Sequence, residues 1–333
     1  MTRPISSSPL AGGDAPPATP ITPPPLFVWP PRPDRALGFL FGIPGYFLPL
    51  NGLYMLLAIV TWFALTPDLA RMTTLEPGWI GGIYLRNLAF TIFVFGGLHL
   101  RFYTLGRQGT RYMLNRRSPT GDGRQFLFGN QVRENMFWTL VSGVGIWTAY
   151  EVLTLWAFAN GFIPMLDWNT HPVWFVLLFC AIPLIRDAHF YLVHRLLHTR
   201  WLYRPVHALH HKNVDIGPWS GMSMHPVEHL LYLSGVLLHW VVLSHPLHAI
   251  FHLQQTGLAP ALGHVGFHKL ETKEGKVFPI GQRLFHFLHH RSFECNYGGD
   301  GTVPIDKWFG SWHDGTEAGE AHIRERRRRA ALG

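Results

Sequence analysis

The chain has 333 residues, enough for two soluble domains, but 47% of them are hydrophobic and only 14% are charged. Several apolar runs approach the ~20 residues a helix needs to cross a bilayer, so the sequence is that of a membrane protein and not of an ordinary soluble globule. The formal net charge of +8 fits attraction to anionic headgroups, and the two cysteines, Cys180 and Cys295, lack CxxC spacing and give no disulfide framework.

Residues 1–36 are rich in Pro, Ser and Ala and lack periodic apolar positions, which predicts a disordered tail. They also lack the basic, then apolar, then cleavable order of a signal peptide. A first span is expected over 37–65, with Pro44, Pro49 and Asn51 interrupting its first half. A second span is expected over about 80–100. The stretch 101–136 then carries seven arginines against Asp122 and Glu134. A third span covers 137–159, the following 160–171 has no Lys or Arg, and a fourth apolar run starts at Pro172. Basic loops favour the cytoplasmic side, so the arginine-rich loop is expected inside. By alternation the two termini and the region after the fourth span are cytoplasmic too. The sequence RERRRR over 324–329 agrees, and beside several spans it reads as a headgroup-binding tail, with no nucleic-acid partner. The expected division is a tail (1–36), an N-terminal membrane region (37–171), a histidine-bearing region (172–314) and a basic tail (315–333).

The fourth run leads into a succession of histidines. His194 and His198 are four apart, one turn of a helix, and His207, His210 and His211 follow just after Pro205. His264 and His268 repeat the first spacing, and His286, His289 and His290 repeat the second. One helical histidine is more often a packing residue than a ligand, but four clusters at ligand spacing alter that weighting. Neutral imidazole suits zinc, copper, iron and nickel, and ten such rings exceed one tetrahedral ion and suit two metal ions. For the clusters to meet, residues 229–263 must form a helical hairpin around His245-Pro246 that returns to the face it left. His239, His245, His248 and His252, inside that hairpin, read as neutral, hydrogen-bonded rings.

The motifs HRLLH, HALHH and HFLHH, followed by NYG at 296–298 and then by IDKWFGSW, resemble the sterol desaturase and fatty acid hydroxylase superfamily over about 174–312. That resemblance implies an all-α integral membrane protein of four or more transmembrane helices, with a cytoplasmic helical cap holding a histidine-rich dimetal site. It implies two non-haem iron ions, dioxygen as co-substrate, and the ligand candidates His194, His198, His207, His210, His211, His286, His289 and His290. His264 and His268 match an extra HxxxH of the fatty acid hydroxylase branch, while HPVE at His225 leans towards the C4-methyl sterol oxidase branch. Ligating imidazoles need their second nitrogen oriented, and Asp187, His225, Glu228, Asn296 and Asp306 are the candidates for that support.

The implied activity is O2-dependent hydroxylation of a membrane lipid: an acyl chain, a headgroup or a sterol-like substrate. Sterol C-5-type desaturation and C4-methyl oxidation are the alternatives. No GxGxxG fingerprint and no HPGG haem element occur, so a separate electron donor of cytochrome b5, ferredoxin or reductase type is expected. Two other classes stay open, a metal transporter and a zinc hydrolase. The first would distribute histidines along the spans, and HExxH, a mark of the second, is absent.

Overall fold

The computed structural model describes residues 20–115, 117–119, 123–280 and 283–332. A short helix α1 (Pro33–Phe41) precedes four helices long and apolar enough to cross a membrane: α2 (Phe47–Ala64), α3 (Pro77–Thr104), α4 (Gln131–Ala159) and α5 (Pro172–Leu197). The expected first span is thus split. Gly42 ends α1, and Leu48, just ahead of Pro49, is extended, so only the stretch after the prolines is continuous helix. Large apolar side chains on these helices, such as Phe63, Phe93 and Val173, face outward, as a lipid-facing surface requires.

The chain then turns through Tyr203–His207 into α6 (Ala208–His211) and a buried 3-10 turn at Pro218–Met222. Helix α7 (Pro226–Leu233), extended by a 3-10 segment at Ser234–Trp240, and helix α8 (Pro246–Gly263) form the two limbs of the hairpin. Its tip reaches the far end of the bundle: Leu166 N donates to Ser244 O at 2.8 Å, and Trp174 Nε1 donates to Leu243 O at 2.9 Å. The return limb has 18 residues, a length of about 27 Å. It is nearly wholly buried and packs against α2, α4, α5 and the Pro218–Met222 turn. It is too polar to read as a lipid-facing span, and its polar groups are spent on neighbours. Gln254 Nε2 donates to Thr61 Oγ1 and Gln255 Nε2 to Asn51 Oδ1, both at 2.7 Å, and His248 Nε2 meets Phe175 O at 2.9 Å. His239 and His252 are likewise paired, with each other and with Ser244. Between α3 and α4, Arg86, Asn87 and Glu151 form a second buried polar contact.

After α8 come two three-residue strands, β1 (Lys269–Glu271) and β2 (Val277–Pro279), paired antiparallel with Leu270 opposite Phe278. These qualify the all-α expectation, although the fold is mostly helical. Helix α9 (Arg283–Arg291), a loop, α10 (Ile305–Trp308) and α11 (Glu317–Leu332) complete the chain. Of the expected tail, residues 1–19 lie outside the described residues. Residues 20–28 are not free of the fold: Ile21 exchanges hydrogen bonds with Asp314 and Trp312, and Phe27 sets its ring edge-on to Trp308.

Close approach at α8 depends on two glycines. A Cβ at Gly221 would lie 2.4 Å from Pro260 O, and one at Gly257 would lie 2.7 Å from Cε3 of the fully buried Trp147. Gly257→Ala is expected to cost about 1–3 kcal/mol by overpacking. Gly82→Ala, where no atom lies within 4 Å, should cost nothing. Thermal unfolding of the two variants in detergent checks the pair.

Candidate metal centre

Ends of separate elements carry the histidines to one place. His194 lies in the last turn of α5 and His198 caps it; His207, His210 and His211 lie on the turn leading into α6 and on α6 itself. His264 caps α8, and His286, His289 and His290 follow the helical repeat of α9. The returning hairpin is what brings His264 beside His210 and His290, with ring centroids 5.1 and 4.7 Å away.

Nine of these rings form two adjoining groups. His194, His198, His207, His211 and His289 make one; His210, His264, His286 and His290 make the other. Within each group the candidate ligand atoms all lie within 4.8 Å of one another, and only His198 is less than fully buried. In the first group Nε2 atoms face each other: His194 to His207 at 3.0 Å, and His198 to His207, His211 and His289 at 3.1 Å.

The outer nitrogens explain why these are not ordinary hydrogen bonds. His194 Nδ1 meets Tyr297 O at 2.7 Å, His289 Nδ1 meets Cys295 O at 2.6 Å, and His207 Nδ1 meets Glu228 Oε1 at 2.8 Å. A carbonyl oxygen only accepts, as does Glu228 when ionised, so Nδ1 carries the proton and Nε2 presents a lone pair. His264 is held alike: the Ser220 hydroxyl donates to Gly217 O, leaving its oxygen to accept from His264 Nδ1 at 3.0 Å. Lone pairs converging at 3.0–3.1 Å repel unless a cation lies among them. Nitrogens bound at ~2.1 Å to one ion and at right angles to each other are about 3 Å apart, so the spacing fits shared coordination. His290 makes the same point in the second group, since neither of its buried ring nitrogens has a hydrogen-bond partner among the described residues.

Burial and charge agree. Burial, with crowding by other imidazoles, pushes His207, His211, His264, His289 and His290 well below the ordinary imidazole range. Burial also pushes His210 down to about 3 and His286 down to about 4. The rings are therefore neutral and ready to ligate. Glu228 is raised well above the carboxylate range by burial, and its Oε2 has no partner. A cation on His207 Nε2 would supply the positive charge that this buried pair lacks. Nine imidazoles and no carboxylate in either group, among the described residues, suit iron, copper, nickel or zinc.

The other expected positions fall out differently. The structure does not bring His268 into either group: it is half-buried, with its ring edge-on to Tyr112 at 5.5 Å. Four residues after His264 it is no longer on a helix, because α8 ends at Gly263 and the HxxxH spacing has no helical face to act through. His225 is also outside, its Nδ1 accepting from Val227 N at the start of α7. Of the supporting candidates, only Glu228 touches a clustered ring. Asp306 accepts from Tyr297 N and Gly298 N at 2.9 and 2.7 Å, and Asp187 accepts from Val303 N at 2.7 Å. Asn296, at φ +51°, donates to Phe285 O and His313 O. These three fix the loop whose carbonyls hold His194 and His289. Sequence reading missed Ser220 and the carbonyls of Cys295 and Tyr297; of these only Tyr297 stood in a quoted motif.

The fatty acid hydroxylase family model matches residues 179–311. Over this part of the chain the sequence is similar to the sterol desaturase and fatty acid hydroxylase superfamily. The chain is 33% identical over 131 residues to the Delta(7)-sterol-C5(6)-desaturase of Nicotiana tabacum, covering 38% of this chain and 46% of that protein. It is 31% identical over 151 residues to Methylsterol monooxygenase 1 of Gallus gallus, covering 44% and 50%. The chain thus spans about half the length of these curated relatives. No solved structure matches it.

Because the folded pKa values lie below the unfolded value near 6.5, the unfolded chain takes up protons first as pH falls. Stability of the metal-free protein is therefore fully present above about pH 6.5 and declines below it, towards the depressed values of about 4 and 3 at His286 and His210. Unfolding temperatures in detergent at pH 7.5 and pH 5 should show the loss, and bound metal should raise stability at pH 7.5 without removing the loss, because it keeps the folded rings unprotonated while the unfolded chain still takes up protons.

Proposed function

We propose that the chain is a membrane oxidoreductase in which two iron ions, held by nine histidines, use dioxygen to hydroxylate a C–H bond of a membrane lipid. The convergence of two neutral imidazole groups, with their outer nitrogens locked by Glu228, Ser220, Tyr297 and Cys295, supports this most directly. His194, His198, His207, His211 and His289 would hold one ion, and His210, His264, His286 and His290 the other. Bound iron supplies the reduction of dioxygen and the oxidising power for an unactivated C–H bond. The protein keeps the ligand nitrogens unprotonated and the site dry, and it sets which carbon is presented. Hydroxylation consumes one O2, two protons and two external electrons and yields the alcohol and one water, so a separate electron donor is required. Desaturation is the second reading, favoured by the named activity of the tobacco relative. Both would take a substrate dissolved in the bilayer, reached between the spans.

The proposed orientation places the histidine cap, the arginine-rich loop and both termini on the cytoplasmic side. Its support is the basic-residue asymmetry, with the Ser244 end of the hairpin at the opposite face. Cysteines introduced at Gln125 and Asn169 should label from opposite sides of intact cells; equal labelling from outside would reverse the assignment.

Metal analysis of purified protein should give about two iron per chain, whereas stoichiometric zinc after anaerobic, iron-supplemented preparation would count against the oxygenase. His264→Ala and His290→Ala should lose iron and turnover, and His268→Ala should keep both. Glu228→Gln should weaken metal binding by roughly 10–100-fold through the His207 ring it orients. Comparative lipid mass spectrometry then separates the two reactions, since hydroxylation adds one oxygen and desaturation removes two hydrogens.

A further inference from the structure

A narrow cavity of about 30 Å³, open on one side, adjoins the second histidine group. His210, His264 and His286 line it, with apolar cover from Phe190, Met224 and Pro260. It is also lined by a charged residue that is not among the clustered histidines. Arg186 lies on α5 eight residues before His194, about 12 Å along the helix axis, and is only 9% exposed. Phe190, halfway between them, stands against both His194 and His286, with ring centroids 4.9 and 6.0 Å away. The cavity therefore borders both the clustered rings and the guanidinium.

Arg186 has the charges of Asp300 and Asp187 near it but few hydrogen-bond partners. Its Nε–H has no partner, and its one hydrogen bond among the described residues is a long one, 3.4 Å, to Tyr232 Oη. That phenol donates in turn to Thr256 O at 2.9 Å, which leaves its oxygen to accept and fixes the guanidinium from one side. A guanidinium offers five N–H donors and no acceptor, and leaving a buried donor without a partner is costly. The remaining donors call for an oxygen brought by a ligand. The sign of the neighbouring charge narrows that oxygen. Asp300 lines the same cavity and already offsets the charge of Arg186, so an entering carboxylate or phosphate would find no uncompensated cation there, while an uncharged oxygen needs none.

We propose that Arg186 holds an uncharged oxygen, a hydroxyl or a carbonyl, of the lipid substrate and thereby sets which C–H bond reaches the histidine centre. This rests on the lipid-oxygenase reading and narrows it. The substrate is a neutral, oxygen-bearing lipid, not a free fatty acid or an anionic headgroup. The carbon attacked is chosen by its distance from that oxygen. Arg186 is a positioning residue, not a metal ligand.

Iron-loaded full chain in phosphatidylcholine nanodiscs allows a test that does not depend on turnover. Binding of tritiated cholesterol and of tritiated oleyl alcohol is measured, with their counterparts lacking the oxygen, and with oleate, as competitors. At least one alcohol should bind about tenfold or more tighter than its oxygen-free counterpart and than oleate, the scale of one buried charge-assisted hydrogen bond. Arg186→Gln should abolish that preference with iron content unchanged, and Arg186→Lys should retain part of it. Asp300→Asn should independently improve oleate binding. The proposal is overturned if neither alcohol is preferred, if Arg186→Gln keeps the preference, or if oleate is the ligand that depends on Arg186. It is overturned equally if Asp300→Asn leaves oleate binding as it was. Failure of the wild type to hold iron would instead strike the oxygenase reading, so the two failures are distinguishable.

Discussion

The structure turns on lone pairs that face one another. Nine imidazoles, eight of them buried, bring ring nitrogens together, some of them unprotonated and 3.0–3.1 Å apart, which is unfavourable without a cation and favourable with one. Much of the region after α5 acts to hold them there. Carbonyls, a hydroxyl and one carboxylate take up the outer protons, and burial keeps the rings neutral. The cost of making such a site in the absence of metal is the reason to expect that metal binding and folding are coupled in this half of the chain.

The supports of those rings are in turn fixed by backbone accounting. The loop after α9 offers Cys295 O and Tyr297 O to two of the clustered histidines. Left alone it would be irregular chain with unpaired N–H groups. Asp306 accepts two of these, Asp187 accepts from Val303 N, and Asn296 ties both strands of the loop. These residues act on the centre through the main chain. Carboxylates expected beside the imidazoles therefore serve the loop that carries the actual acceptors.

The hairpin performs the complementary task inside the bundle. A chain with four spans and histidines after the last must return if His264 and α9 are to meet α6. The return limb, α8, is polar enough that lipid would be a poor solvent for it, and it is enclosed by α2, α4 and α5 instead. Its glutamines bond to Asn51 and Thr61 on α2, so the residue that interrupts the first apolar run is also an anchor for the innermost helix.

Much of this was legible in the sequence. Apolar run length found all four long helices, because the bilayer imposes a length and a polarity on each, although the first starts at Phe47 and not at 37 and the third at Gln131 and not at 137. Spacing of three and four placed His194 with His198, and His286 with His289 and His290, because a helix puts those positions on one face. The same rule misplaced His268, since spacing carries information only while the helix lasts and α8 ends at Gly263. Composition alone also left residues 20–28 as tail, because their contacts are with Trp308, Trp312 and Asp314, nearly three hundred residues away. Only tertiary structure could divide the rings into a group of five and a group of four, or set Arg186 beside the second group. Those facts depend on how α5, α6, α8 and α9 converge, and no local period encodes the meeting of four separate elements.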